Sequence, residues 1–477
     1  MFSSPEEALK YTVDQKVKMV DLRFVDLVGR WHHVTLPVSN FSEDTFKNGV
    51  AFDSSSIPGF KSISSDDMVL MPDSITGRID SFWSEKTMAF ICDVHEAISL
   101  KPFTHDPRSV LKKAEAYLAK LGIADGCRFS PEFEFYIFDQ VKFINSANQA
   151  SYSIAAEEMN WRFNDGDEAG SGFRIQHQTG YHAMPPRDRL FEIRTQIVSL
   201  MIENGIEVKY HHHEVGSAGQ VEIEVLFSEP LEAADNGMLV KYIAQMTAQR
   251  NGKTVTFMPK PLNNHAGSGM HFHQFLHKGG KSLFYQKGEY SNLSSLAINY
   301  IGGLLHHTPA VMAFTNPSTN SYKRLVPGFE APTKIFFGLA NRSAAIRIPN
   351  YDDNEYLKRM EFRPGDGAGN IYLMIAAQLI AGLDGIVKKI NPTDYNYGPI
   401  DENVTKLLQA EQDKIKSVPK SPEEALEALD KDREFLTSTG VFTDDLIDTW
   451  IDYKLEKEYK QMRDKPHPFE FELYFDL

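Results

Sequence analysis

Phe129-Ser130-Pro131-Glu132-Phe133-Glu134-Phe135-Tyr136-Ile137-Phe138 is the run whose reading decides the fold. It is dense in aromatic and β-branched residues, ends at Asp139, and reads as a β-strand. Strand side chains alternate between faces. Glu132 and Glu134 therefore share one face, about 6.6 Å apart, while Phe133, Phe135 and Ile137 share the other, which requires a core. Neighbouring like charges are unfavourable unless a cation or a proton compensates them.

Four further segments repeat this pattern. Gln220-Val221-Glu222-Ile223-Glu224 is an alternating strand with its acids on one face. His271-Phe272-His273 puts two imidazoles on one face, and Met360-Glu361-Phe362-Arg363 a carboxylate and a guanidinium. His211-His212-His213-Glu214 adds an acid and three imidazoles at a strand end. Taken singly, each is ordinary: a Glu-x-Glu strand is commonly a solvent-facing stripe. The middle member of a His triplet points away from its neighbours. Co-occurrence in one chain changes the weight. A face of several carboxylates and one or two imidazoles, without thiolate, suits Mg²⁺ or Mn²⁺ better than zinc or copper. More than three carboxylates suggests more than one ion, as in phosphoryl-transfer sites.

Cations cluster later in the chain. Lys323-Arg324, Arg342, Arg347, Arg359 and Arg363 fall close together, and Arg forks match carboxylate and phosphate oxygens. Surface pairing with acids is the plain alternative for any one of them. Ala266-Gly267-Ser268-Gly269, just before His271, lets backbone approach a ligand. Gly252-Lys253-Thr254 is not a phosphate loop, because the first glycine of that motif would fall at Thr247.

The bulk numbers bound the class. With 477 residues, 42% hydrophobic and 24% charged, the chain reads as soluble and globular with two or more domains. A net charge of −15 argues against general affinity for nucleic acid or an anionic membrane surface. Cys92 and Cys127 form no disulfide framework, and a reducing cytoplasm is the expected location. The amino terminus has no basic and apolar leader pattern, and no apolar run approaches the roughly 18 residues of a membrane span.

Along the chain, Ser4-Pro5-Glu6-Glu7 starts a helix. Lys18–Asp26, Trp31–Leu36 and Met88–Val94 read as strands, residues 50–80 as loops. Pro102–Arg108 marks a boundary, giving domains at 1–103 and 104–477. In the second, strands are expected at 128–138, 207–214, 219–227, 253–259, 269–276, 342–348 and 359–363. Helices are expected at 107–121, 187–204, 231–250, 371–389, 422–436 and 443–461. Residues 139–185 form a long polar insertion, and 391–403 a surface loop. Strands and helices do not alternate regularly, so the class is α+β rather than a doubly wound parallel sheet.

These segments together resemble glutamine synthetase of the bacterial type I class. The resemblance runs from Phe52-Asp53-Ser54-Ser55-Ser56-Ile57 to Pro466-His467-Pro468. It is most specific at Lys323-Arg324-Leu325-Val326-Pro327-Gly328-Phe329-Glu330-Ala331-Pro332, at Asn341-Arg342-Ser343, and at His211-His212-His213-Glu214-Val215. It implies a small β-grasp-like first domain and a catalytic domain with a curved antiparallel sheet. The reaction implied is ATP-dependent ligation of ammonia to L-glutamate through γ-glutamyl phosphate, in nitrogen assimilation.

The resemblance also implies roles. Glu134, Glu214 and Glu222 match ligands of the metal nearer glutamate, and Glu132, His271 and Glu361 those of the metal nearer the ATP phosphates, with two to three Mg²⁺ or Mn²⁺ per site. Gly267, His271, Arg324, Glu330 and Arg363 match the glutamate site. Phe227, His273, Arg342, Arg347 and Arg359 match the ATP site. Asp53, Ser56, Tyr181, Glu214 and Glu330 match the ammonium site; of these, Asp53 takes the proton and Glu330 closes the flap, with Arg342 acting on the phosphoryl group. Members form homododecamers of two stacked hexamers with active sites between subunits, and Pro468–Leu477, read as an aromatic strand with Glu470 and Glu472 on one face, would tie the rings together.

Ala266 stands where the family has an Asn before the Gly-Ser-Gly stretch, and departures fall at nucleotide contacts, where Lys209 replaces an acid, Phe275 a Ser and Tyr356 a Lys. Gly365-Asp366-Gly367 and Asn370-Ile371-Tyr372-Leu373 also differ. Where some members carry an adenylylated tyrosine, strict spacing puts Asp401, with Tyr395 and Tyr397 nearby. Two other readings compete: a γ-glutamyl ligase of the same fold acting on a polyamine or another amine, and a non-catalytic structural relative, which would have eroded metal ligands.

Overall fold

The computed structural model describes residues 2–60, 67–159, 161, 172–328, 330–351 and 353–477. A first sheet contains β1 (Met19–Val25), β2 (Trp31–Pro37), β3 (Val50–Asp53), β4 (Asp67–Pro72), β5 (Arg78–Asp80) and β6 (Thr87–Glu96). Its order is β2-β1-β6-β4-β3, with β5 beside β6; β1 and β6 run parallel and the other pairs antiparallel. Val20, Leu22 and Phe24 of β1 and Met88, Phe90 and Cys92 of β6 are buried in its core, with Ala8 from the opening helix Pro5–Asp14. Ser4 caps that helix by accepting from the Glu7 amide. Residues 50–80 are thus not all loop: β3, β4 and β5 are short, and pairing rather than local propensity forms them.

The second sheet decides where the chemistry sits. Its strands are β7 (Gly126–Phe138), β10 (Val208–His213), β11 (Gln220–Val225), β12 (Thr254–Thr256), β13 (Met270–Lys278), β14 (Lys281–Ser282), β15 (Lys334–Leu339), β16 (Ala344–Ile348) and β17 (Met360–Phe362). The order is β10-β11-β7-β13-β17-β16-β15, with β12 beside β7 and β14 beside β13. All pairs are antiparallel except β15 with β16. One face is apolar and buried: Phe129, Phe133, Phe135 and Ile137, with Val221, Ile223, Phe272 and Phe362 from neighbouring strands. The insertion after β7 contains a hairpin of β8 (Gln140–Ser146) and β9 (Gln149–Ala155). β12 is shorter than the strand expected at 253–259.

Helices Pro107–Leu121, Pro230–Arg250 and Ile371–Lys388 stand where the pattern places them. The helix expected at 187–204 begins at Phe191. That at 422–436 divides into Pro422–Lys431 and Glu434–Thr437, and that at 443–461 continues from Asp444–Tyr453 through a wide π turn, Lys454–Tyr459, into Lys460–Arg463.

Helix Ser295–Thr315 was not expected from the sequence. Gly302, Gly303 and Pro309 interrupt its local signal. The glycines are contact residues. A Cβ on Gly303 would lie 2.4 Å from the Cα of Gly385 in helix Ile371–Lys388, and one on Gly302 would lie 2.1 Å from the Ile390 carbonyl oxygen. Helix Ile371–Lys388 is itself 18 residues long and apolar enough to cross a membrane, contrary to the expectation that no run reaches span length. It is a core helix, 78% buried, and Gln378 within it accepts a hydrogen bond from Gln274 of β13 at 2.8 Å.

Two further expectations change. Pro468–Tyr474 is a helix, not a strand. Pro468 occupies its first turn, the His467 ring accepts from the Phe469 amide, and Glu470 accepts from the His467 amide. That local capping favours helix, and at helical spacing Glu470 and Glu472 no longer share a face. Residues 391–403 are not merely surface: Tyr397 is buried and its carbonyl accepts from the Phe337 amide of β15.

Arg108 joins the two sheets' layers. Buried at the start of helix Pro107–Leu121, it donates to both oxygens of Asp235 (3.0 and 2.8 Å), to Asp93 of β6 (2.7 Å) and to Asp73 (2.8 Å). Tyr372 also donates to Asp235, at 2.7 Å. Arg108→Met strips the buried Asp235 of its guanidinium and leaves Asp93 and Asp73 to Lys112. It should cost about 3–5 kcal/mol in urea unfolding, and a loss below about 1 kcal/mol would contradict a central role.

His307 of helix Ser295–Thr315 bridges two acids, with Nδ1 2.7 Å from Asp432 and Nε2 2.9 Å from Asp384, and stacks on Phe435. Burial opposes its charge, yet the two carboxylates outweigh this and raise its pKa; His306 packs against its ring and Lys388 shares Asp384 at 3.0 Å. A raised folded pKa stabilises fully below the unfolded value of about 6.5 and loses that stabilisation as pH climbs through the folded value. His307→Gln should therefore cost about 2 kcal/mol at pH 5.5, and the gap to wild type in thermal unfolding should narrow by pH 9. A gap independent of pH would contradict the imidazolium.

Candidate active site

Strand register builds the site on the face of the second sheet opposite the core. Glu222 of β11 lies directly across from Glu134 of β7, and Glu224 from Glu132. His271 of β13 is opposite Glu132. Glu361 of β17 is flanked by His273 and by Arg347 of β16. His212 of β10 is opposite Glu222. The middle member of the His triplet is therefore the one on the acid face, and its neighbours turn away: His211 meets Arg194 and His213 meets Glu158.

Like charges opposite one another destabilise a sheet unless compensated. One half of the face is compensated by the chain itself. Glu132 receives His273 Nε2 at 2.8 Å and His271 Nδ1 at 3.0 Å. Glu361 receives Arg363 on one oxygen and Arg347 on the other. Burial works against ionisation at both acids. Even so, the imidazoles hold Glu132 well below the usual carboxylate range, and Arg363, with help from His273 and Arg347, brings Glu361 to about 2.

The other half is not compensated in this way. Glu214 is pushed up to about 8, first by burial and then by Glu134 and Glu222. Glu222 is driven well up by burial and by Glu132, Glu134, Glu224 and Glu361. The basic side chain beside Glu222 is His212, whose Nε2 lies 3.4 Å away. A cation brought from outside is the natural partner for this half.

Three groups of ligand atoms lie within 4.8 Å of one another: Glu132, His271 and Glu361; His212, Glu214 and Glu222; and Glu132, Glu224 and His273. The first is one of the two ligand sets expected from the sequence. The second contains two members of the other set but has His212 in place of Glu134. Glu134 instead accepts from the Gly269 amide at 2.7 Å and lies 3.8 Å from His271 Nδ1. Glu224 was missed as a site residue; its partner is Lys209, donating at 2.7 Å. The donors are oxygen and imidazole only, which fits Mg²⁺ or Mn²⁺.

Around these acids the expected cations divide into two ends. At one, Arg324 is buried, donating to the carbonyls of Pro364 (2.7 Å) and Arg363 (3.2 Å) and lying 3.2 Å from His271 Nε2. Gly267 sits against it, and a Cβ there would lie 2.6 Å from Arg324 Cγ. Arg363 donates to the Arg342 carbonyl at 3.1 Å. At the other end, Arg359 donates to His273 Nδ1 at 3.4 Å and lies 5.5 Å from the Phe227 ring, which packs on Phe275. Arg342 pairs with Glu330 at 3.2 Å and hydrogen-bonds Tyr181, whose ring meets His182 and His212. Glu330 has a positive φ of 55°, a strained conformation for this residue. Asp53 and Ser56 are exposed on and after β3 of the first sheet, and Asp53 accepts from the Ser55 amide at 2.8 Å.

A small sheet joined to a curved sheet with a cation-ringed, carboxylate-rich face defines a class of metal-dependent enzyme that handles anionic substrates. Family models place it. The glutamine synthetase catalytic domain matches residues 104–474, and the glutamine synthetase β-grasp domain matches residues 16–97. Glutamine synthetase of Mycobacterium bovis is 46% identical over 99% of both chains, and that of Streptomyces filamentosus is 47% identical over 100% of both. Among solved structures, Plasmodium falciparum glutamine synthetase superposes with a TM-score of 0.90 at 28% identity over 99% of each chain. GmaS bound to ADP superposes with a TM-score of 0.82 at 26% identity, covering 98% of this chain and 99% of the other. The chain belongs to the glutamine synthetase family, and its reaction is the formation of glutamine from glutamate and ammonia.

Glu222→Gln removes from the uncompensated half a carboxyl whose ionisation burial and the neighbouring acids oppose. Unfolding of the metal-free protein at pH 7.5 should become harder by about 1 kcal/mol, while the rise in melting temperature on adding Mn²⁺ should shrink. An unchanged Mn²⁺ response would remove Glu222 from the cation site.

Proposed function

We propose that the acid face binds ATP at its Phe227–Arg359 end and L-glutamate at its Arg324–Arg363 end, with two to three Mg²⁺ or Mn²⁺ between them. The observation that carries this reading is the two groups Glu132–His271–Glu361 and His212–Glu214–Glu222 on one face, with buried guanidinium forks beside them. Divalent ions bound there would draw charge off the phosphoryl oxygens.

The remaining chemistry falls to the chain. A carboxylate is a poor acceptor for ammonia because oxide is a poor leaving group. Moving the γ-phosphoryl group of ATP onto the glutamate γ-carboxylate breaks the bond to ADP and forms an acyl phosphate. Ammonia then attacks the acyl carbon and phosphate departs. Arg324 and Arg363 hold glutamate as carboxylate forks, with Gly267 allowing close approach. Arg342 and Arg347 face the phosphoryl oxygens, and His273 and Arg359 the nucleotide. Asp53, Ser56, Tyr181, Glu214 and Glu330 form the ammonium pocket. Asp53 takes a proton from ammonium, and the ammonia left behind has the lone pair that attacks. The Glu330–Arg342 pair closes the site against water, which would hydrolyse the acyl phosphate.

The assembly in this reading is a homododecamer of two stacked hexamers in which Asp53 and Ser56 serve a neighbouring subunit's acid face. Their exposure on the edge strand of the first sheet supports this. So does the final helix, which exposes Phe469, Phe471, Leu473, Tyr474 and Phe475, an apolar surface suited to burial in a second ring. The domains divide at 103/104, and the buried free thiols of Cys92 and Cys127 support a cytoplasmic location.

With ATP, Mg²⁺ and glutamate, phosphate release should depend on ammonium and be slow with a panel of polyamines and alkylamines. Strong turnover on an amine without turnover on ammonium would overturn the assignment. Glu134→Ala should lower kcat by at least about 100-fold while the assembly keeps its size in sedimentation; retained activity would remove Glu134 from the metal set.

A further inference from the structure

Tyr351 follows β16 and exposes 56% of its surface, yet three cations converge on its ring. The Arg359 guanidinium lies 5.2 Å from the ring centroid, Lys209 Nζ 5.6 Å and the Arg347 guanidinium 6.0 Å. They come from opposite flanks of the sheet. Lys209 is on β10 and is held by Glu224 of β11 at 2.7 Å. Arg347 is on β16 and is held by Glu361 of β17. Arg359 immediately precedes β17 and also lies 5.5 Å from the Phe227 ring, which packs at 5.1 Å on Phe275.

Three cations this close repel one another. An aromatic face offsets part of that repulsion, and an anion offsets more. An exposed ring surrounded by cations, beside a second aromatic pair, has the chemistry to receive a flat heteroaromatic base attached to a polyphosphate. Aromatic stacking on a base tolerates any base and adds affinity without a hydrogen bond. We propose that Tyr351 is the stacking platform for the nucleotide base at the mouth of the site, an affinity-determining residue carried by this chain's own loop. The inference rests on the reading that this end of the face binds ATP.

The test uses the full chain with Mg²⁺ and calorimetric titration of a non-hydrolysable ATP analogue, and separately of tripolyphosphate. Tyr351→Ala and Tyr351→Leu should each weaken the analogue by roughly tenfold, while Tyr351→Phe stays within about twofold. Tripolyphosphate, which has no base, should bind wild type and Tyr351→Ala alike. In turnover, KM for ATP should rise in Tyr351→Ala with kcat little changed. Unchanged or tighter analogue binding in Tyr351→Ala, or an equal loss of tripolyphosphate binding, overturns the stacking role alone. Absence of analogue binding to the wild type overturns the ATP reading and the inference with it.

Discussion

Everything in this structure depends on one crowded row of carboxylates held against a rigid apolar backing. Glu222 faces Glu134 and Glu224 faces Glu132 across β11 and β7, an arrangement that costs energy in a free strand pair. The opposite face makes it possible. Phe133, Phe135, Val221, Ile223 and Phe272 are fully buried there. A slip of one residue would turn those rings to solvent and drive the acids into the core, so the apolar face locks the register that crowds the charges.

The strain is distributed unevenly, and that unevenness separates two kinds of site on one surface. At Glu132 and Glu361 the chain supplies its own partners, the imidazoles of His271 and His273 and the guanidiniums of Arg347 and Arg363. At Glu214 and Glu222 it supplies little beyond His212. In the first half an incoming ion must compete with side chains, which would then be free to meet anionic substrates. In the second half an incoming ion relieves repulsion already present.

The surroundings hold this face still. Gly303 and Gly385 bring two core helices into backbone contact behind the sheet. Arg108 ties the first sheet to the second layer through three aspartates. Asn370 adds to this, donating to the carbonyls of Asp26 and Leu27 in the turn after β1, both at 3.1 Å. The exposed Asp53 is therefore carried on a unit firmly joined to the catalytic layer.

The sequence by itself determined the strands that carry chemistry and which face each acid takes, because alternation is a local property of extended backbone. Glu132, Glu134, Glu222, His271, His273 and Glu361 were all legible this way, as were the helices with clear caps such as Pro107–Leu121. Motif resemblance supplied the reaction. Local pattern could not supply what depends on distant partners. Helix Ser295–Thr315 was hidden because its glycines read as breakers until the facing helix explained them. Short strands β3, β4, β5 and β15 exist by pairing. Pro468–Tyr474 repeated the letters of β7, yet it caps as a helix, and among the described residues no strand pairs with it. Tertiary structure alone decided that His212 meets Glu222, that Lys209 pairs with Glu224, that Glu134 turns to Gly269, and that Lys209, Arg347 and Arg359 meet at Tyr351. Those outcomes are set by cross-strand register, and register is fixed only when the whole sheet closes on its core.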